Sequence, residues 1–329
     1  MKNRKSILLF SLKLLVSVGL LGYLVTRIDG EQFAHTLASA NFSYIALALV
    51  IYLGTQIVSA LRWTVLTRPL GISTPYKDLA AYYFIGMFFN LFAPSTVGGD
   101  VSRVYYLARE QNKEHQKHAS GSTIQAAVSV LMDRAIGMVV LIWLGAVGLL
   151  LFPQYGVPLP IRALTLSLAA GFFIVGLLLP LVRRVLPEDA HPWVTKLRVI
   201  LTSYRRGWRV IPQAITLSFM VHLVQAYLHV IMGWALHLSL PLSFCIIVYP
   251  LVGTFSALPI SVNGFGLREG GYIFLLALIG INSEEGIAFG LLLFLIVAVD
   301  SLIGGVLFLV KKGSAPEARS ALRFKSGNE

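Results

Sequence analysis

Cysteine is almost missing from this sequence. Cys245 stands alone among 329 residues, which excludes an intrachain disulfide and any metal centre built from several thiolates. Charge is also scarce. Only 13% of residues are charged and 56% are apolar, whereas soluble domains are about one quarter charged. No stretch of low hydropathy is long enough for a separate soluble catalytic domain. Acidic residues are the rarer sign, 15 against 27 basic. That imbalance could suggest nucleic acid, but the basic residues fall between apolar runs and no aromatic-rich basic surface accompanies them. They read as determinants of membrane sidedness and as contacts to anionic lipid heads.

Catalytic signatures are missing too. Gly264-Phe265-Gly266 has no third glycine in register and no strand before it, so it is not a dinucleotide loop. Val97-Gly98-Gly99-Asp100 lacks the Lys-Ser/Thr of a phosphate loop. There is no usable Ser/His/Asp array and no paired Glu-x-x-His. No catalytic residue, cofactor or metal is expected. His222, Gln225 and His229 share one helix face, but two imidazoles are too few for a metal site. They are expected to line a polar interior together with Gln56.

Long apolar runs are what the sequence does contain, and the mean hydropathy is +0.75. Full spans of about 20 residues are expected over 7–25, 43–61, 124–152, 163–182, 215–238 and 287–310. Met1–Lys5 followed by the run 7–25 resembles a signal peptide. The run is long enough to span and no small-x-small cleavage site follows, so a retained span is expected. Three runs are too short to cross: 79–93, 244–258 and 271–281.

Lys and Arg give the sidedness. The N-terminal segment, 62–77, 103–117, 183–209 and the tail after Val310 are rich in them. The segments 26–42, 153–162, 237–243 and 282–286 hold one each or none. The run 79–93 lies between two positive segments, so both its ends should be cytoplasmic. The fold class expected is an all-α polytopic membrane protein with six full spans and two re-entrant hairpins, 79–110 from the cytoplasm and 244–281 from outside. Residues 1–152 and 163–310 would form an inverted-topology repeat. Residues 311–329 would be a cytoplasmic tail, and 191–209, with Trp193 and Trp208, either an interfacial helix or a disordered basic loop.

The two hairpin tips carry a repeated motif. Pro94, Thr96, Val97, Gly99 and Arg103 match Pro259, Ser261, Val262, Gly264 and Arg268 at a constant offset of 165 residues. Gly/Pro interruptions at corresponding places in two halves point to a transporter's central site. A guanidinium matches phosphate geometry with paired donors, and helix N-terminal amides add a favourable dipole end. Arg103 and Arg268, with Thr96, Gly98, Gly99, Ser261, Asn263, Gly264 and Gly266, are therefore expected to hold one phosphate-bearing lipid head. The bland alternative pairs Arg103 with Asp100 and Arg268 with Glu269. Asp100, Glu269, Asp133 and Arg134 are ionisable residues within or beside apolar segments. They are candidates for proton coupling or gating, with local pairing of Asp133 and Arg134, or a simple capping role for Asp100, as the plainer readings.

At these motifs the chain resembles the transmembrane-domain family of lysylphosphatidylglycerol synthases, including stand-alone flippase-like members. The segments that carry the resemblance are Ala60-Leu61-Arg62-Trp63, NLFAPSTVGGDVSRVYYL over 90–107, MDRAIG over 132–137 and PISVNGFGLREGGYIFL over 259–275. In full-length members this domain is implicated in moving aminoacylated phosphatidylglycerol between leaflets, and a separate cytoplasmic domain makes that lipid. This sequence has no such domain, so no aminoacyl transfer is expected. The resemblance implies a multi-pass protein of a bacterial or archaeal cytoplasmic membrane, with both termini inside. It would act as a flippase for an anionic lipid, with a homodimer or a lipid-synthesising enzyme as partner and no nucleic acid. A membrane-embedded transferase of lipid-linked groups, or a non-transporting partner of a lipid-modifying enzyme, are the alternatives.

Overall fold

The computed structural model describes Gly22, residues 30–92, 98–115, 119–185, 202–204, 207–258, Ser261 and residues 264–313. All regular structure among the described residues is helical. This is what a low-dielectric surrounding demands, because a helix pairs its own backbone groups. The helices are α1 (Gly30–Ala38), α2 (Phe42–Thr67), α3 (Tyr76–Phe92), α4 (Gly98–His115), α5 (Ala119–Leu151), α6 (Leu159–Val185), α7 (Val210–Ala235), α8 (Leu242–Ser256), α9 (Leu267–Leu276) and α10 (Ser283–Gly313). Local chemistry sets their ends. The Asn41 side chain accepts the Ser43 N–H at 3.0 Å to open α2, as an N-cap should. Pro69 and Gly71, the latter at φ 75°, close it.

Five of these helices are long and apolar enough to cross a membrane: Phe42–Leu70, Gly121–Leu151, Leu159–Leu178, Val210–Ala235 and Ser283–Lys311. They coincide with five of the six expected spans. The sixth, 7–25, lies outside the described residues apart from Gly22. Of the expected interfacial helix 191–209, residues 202–204 are helical and 207–209 form a turn; the rest lies outside. The tail beyond Gly313 also lies outside. α6 leaves Phe172, Phe173, Ile174, Val175 and Leu177 exposed, an apolar face suited to lipid contact.

The short helices pack as pairs, α3 on α4 and α8 on α9. At 15 residues, α8 is about 22 Å long, less than the roughly 30 Å hydrocarbon core. α9 begins at Leu267, four residues earlier than the apolar run starting at Gly271. Gly266, at φ 82°, lets the chain turn directly into the helix. Arg268 and Glu269 therefore sit in its first turn, whereas Arg103 sits in the second turn of α4.

Packing partners recur between the halves. α2 lies against α7 at the centre. α3 packs on α2, α4 and α10, and α8 packs on α7, α9 and α5. α4 lies on α5 as α9 lies on α10. Two approaches are backbone on backbone. A Cβ placed on Gly99 would collide with the Gly86 carbonyl oxygen, and one on Gly304 with that of Phe84. Small residues at such crossings let helices associate where no hydrophobic effect drives them together.

Candidate functional site

Two adjoining polar cavities lie between the halves. The first, about 390 Å³, is walled by α2, α3, α4, α5, α7, α8 and α10. The second, about 290 Å³, is reached by Phe265, Arg268, Phe294 and Ser301. Tyr52, Gln56, Tyr83, Met87, Asn90 and Val297 line both and form the partition. The first cavity takes three arginines and two aspartates into its wall, Arg62, Arg103, Arg134, Asp100 and Asp133, leaving one positive charge in excess.

Those five residues form an alternating chain of charge. Asp133 on α5 accepts from Arg62 Nε through Oδ1 at 2.8 Å and from Arg103 Nη2 through Oδ2 at 2.8 Å. All three side chains are buried. Arg62 Nη1 also donates to Ser218 Oγ at 2.8 Å. Asp100 pairs with Arg134 at 2.5 Å and stands 3.9 Å from Arg103 Nη1. The Arg103 guanidinium lies 4.1 Å from the Trp63 ring centre and 4.6 Å from that of Tyr83, close enough for cation–π attraction. Arg103 Nε is buried and has no hydrogen-bond partner among the described residues.

This differs from the sequence reading in three ways. Asp133 does not pair locally with Arg134; it bridges two arginines 71 and 30 positions away. The principal partner of Arg103 is Asp133, not Asp100. Arg62 is not a loop charge, because α2 runs on past the expected end at 61 to Thr67 and buries it. Arg62 was missed as a site residue. An ionisable side chain at the end of an apolar run looks the same in sequence whether it faces water or protein. Tyr52, Tyr83, Asn90 and Tyr249 were missed as well.

At the second tip Arg268 donates from Nε and Nη2 to Glu269 Oε1, at 3.0 and 2.6 Å. It lies 5.4 Å and 5.5 Å from the ring centres of Phe265 and Phe294. Both tip arginines thus sit beside two aromatic rings and hold one strong carboxylate contact. They line adjoining cavities, not a single one as the sequence suggested. Tip amides are also occupied. Gly99 N–H donates to Asn90 Oδ1 at 2.9 Å, and Gly266 N–H to Glu269 Oε2 at 2.8 Å. Glu269 is thereby a helix cap as well as a counter-ion. Gly98 opens α4. Gly264, at φ 77°, lies against Ser256, and Ser261 is buried with no partner for its hydroxyl among the described residues. Thr96 and Asn263 lie outside the described residues.

The neutral wall comes from α7 together with α2 and α8. Gln56 Nε2 and Gln225 Nε2 both donate to Thr55 Oγ1, at 3.3 and 2.8 Å. His222 Nε2 lies 2.9 Å from the Gly137 carbonyl and Nδ1 2.7 Å from the Tyr249 hydroxyl. A carbonyl only accepts, so a neutral His222 carries its proton on Nε2 and Tyr249 donates to Nδ1. His229 is the reverse: Nδ1 faces the Gln225 carbonyl at 2.8 Å and Nε2 the Tyr272 hydroxyl at 2.7 Å. Among the described residues no three of His, Cys, Asp and Glu are grouped to hold a metal ion.

A charged cavity between helices of membrane-spanning length and shorter helices packed among them defines the class: a multi-pass α-helical membrane protein with a polar interior. The family described as lysylphosphatidylglycerol synthase TM region matches residues 10–304, and the chain belongs to that family. It is also similar to a UPF0104 membrane protein of Methanocaldococcus jannaschii, 27% identical over 136 residues, or 41% of this chain. The match spans 38% of that relative's length.

Proposed function

We infer that this chain moves a phosphate-bearing lipid between leaflets, its head group passing through the two adjoining cavities. The observation that carries this reading is the first cavity itself, which places three arginines and a net positive charge between candidate membrane spans and the shorter helices packed among them. Buried ionisable groups at such sites mark substrate paths, and guanidinium forks suit phosphate. Arg268 lies in the second cavity behind a shared partition, so the head meets the two tip arginines in turn. The recurring packing partners and the Lys/Arg bias support six spans, two re-entrant hairpins and an inverted repeat in a bacterial or archaeal cytoplasmic membrane, with both ends inside. Family membership supports a lipid as cargo. The non-enzymatic reading rests on a cavity wall whose carboxylates Asp100 and Asp133 are both engaged by arginines.

The test is reconstitution into liposomes carrying a head-labelled phosphatidylglycerol, with flipping read by dithionite quenching. Wild-type protein should accelerate flipping over empty liposomes, and Arg103→Ala should reduce it tens-fold or more per folded molecule, the loss of a charged partner costing about 2–5 kcal/mol. Equal rates in protein-containing and empty liposomes, for phosphatidylglycerol and for other anionic lipids, would remove this reading.

A further inference from the structure

Asp133 occupies the place where an anionic ligand of Arg103 would be expected. Its two oxygens are divided between two guanidinium groups, one strong bond to each. Arg103 is left underused. Its Nη2 is engaged, its Nη1 has only the 3.9 Å approach of Asp100, and its Nε is buried without a partner among the described residues. Asp100 Oδ1 is likewise buried without a hydrogen-bond partner there. A planar fork with one prong filled by a shared carboxylate can be satisfied better by a tetrahedral anion, which offers oxygens to Nε and Nη2 together. The rings of Trp63 and Tyr83 hold the guanidinium plane, so the fork is already aimed.

We propose that Asp133 is a displaceable internal counter-anion, which a phosphate group entering the first cavity replaces at Arg103 while Arg62 retains the carboxylate. The proposal rests on the head-group reading above and adds its control. With the cavity empty, Asp133 bridges two buried cations and offsets one of their two charges. With phosphate bound, Asp133 turns to Arg62, whose second bond to Ser218 keeps it in place. When the phosphate leaves, Asp133 returns to Arg103, so release needs no water to solvate a bare guanidinium. Binding is correspondingly weaker than two free arginines would give, which suits a site that must let its cargo go.

The experiment is titration of the full chain in neutral detergent with dioctanoyl phosphatidate, glycerol 3-phosphate and dioctanoylglycerol. Asp133→Asn keeps the shape and removes the charge. It is expected to tighten both phosphate-bearing probes by about tenfold, the equivalent of one charge-assisted hydrogen bond, and to leave dioctanoylglycerol unchanged. Arg62→Gln leaves Asp133 wholly to Arg103 and is expected to weaken both phosphate probes. A folded Asp133→Asn that binds phosphatidate no more tightly than wild type overturns the proposal. So does a gain shared equally by dioctanoylglycerol. Should Asp133→Asn fail to fold, Arg62→Gln decides alone, and unchanged or tighter phosphate binding overturns the proposal. Phosphatidate binding to wild type with no response to either variant refutes the counter-anion and spares the head-group reading. Absence of phosphatidate binding in all three proteins refutes both.

Discussion

Replacing Arg268 by alanine should destabilise the protein chiefly through a residue that is not mutated. Glu269 is 1% exposed and accepts three hydrogen bonds: one from Gly266 N–H and two from Arg268. Arg268→Ala leaves the carboxylate buried with the Gly266 amide alone. Stripping one partner from a buried ion pair costs about 3–5 kcal/mol. Glu269→Gln, added to Arg268→Ala, removes the stranded charge. Its amide oxygen can still accept the Gly266 N–H, since Glu and Gln both serve at this capping position. The double variant should recover about 2–3 kcal/mol of the loss, while flipping should stay low because the guanidinium is still missing. Thermal unfolding in detergent gives the stability order, and the liposome assay, normalised to folded protein, gives activity. If Arg268→Ala and the double variant melt together, the stranded carboxylate is not the cause. If the double variant flips at the wild-type rate, Arg268 does not handle the head group.

Single cysteines at His35, Tyr155 and Asn282 should react with an impermeant thiol reagent from outside, and those at Lys113, Pro187 and Ser320 should not; Cys245 is buried and should add little background. Labelling of Lys113 and Ser320 from opposite sides would break the inverted-repeat topology. Gly304→Ala should destabilise by about 1–3 kcal/mol or more, because its new methyl meets the Phe84 carbonyl and backbone cannot step aside. Gly171→Ala, with open space around it, should be neutral or stabilise by about 0.5–1 kcal/mol; equal melting of the two variants would contradict the close approach of α3 and α10.

Five of the expected spans were legible because hydropathy is a local property: runs such as 43–61 and 287–310 announce themselves without reference to the rest of the chain. The paired tip motif was legible too, and both of its arginines line polar cavities. The Arg62–Asp133–Arg103 bridge was not, since it depends on α2, α4 and α5 meeting, and nothing near Arg62 marks its side chain as inward-facing. The early start of α9 was hidden for another reason. Leu267-Arg268-Glu269 is polar and breaks the apolar run, yet Gly266 and the Glu269 carboxylate supply the turn and the cap. Asn90 lay inside the segment that carries the family resemblance, but its bond to Gly99 exists only because α3 and α4 fold back on each other.

The seat of α3 on α10 has a consequence for how the protein is made. The short helix 76–92 finds the Gly304 surface only after the last span has left the ribosome, more than two hundred residues later. Until then the face of α3 that meets Gly304 is unclosed, while α4 can lie on α5 and α8 can dock on α5 at Gly145 and Gly148. Such long-range pairing slows assembly and exposes intermediates. Both hairpins are therefore completed late: α3 and α9 each take their last packing partner from α10, although α4 can already lie on α5 and α8 on α7. Chains arrested before residue 304 would be held in the membrane by their spans but would lack one wall of the arginine cavity.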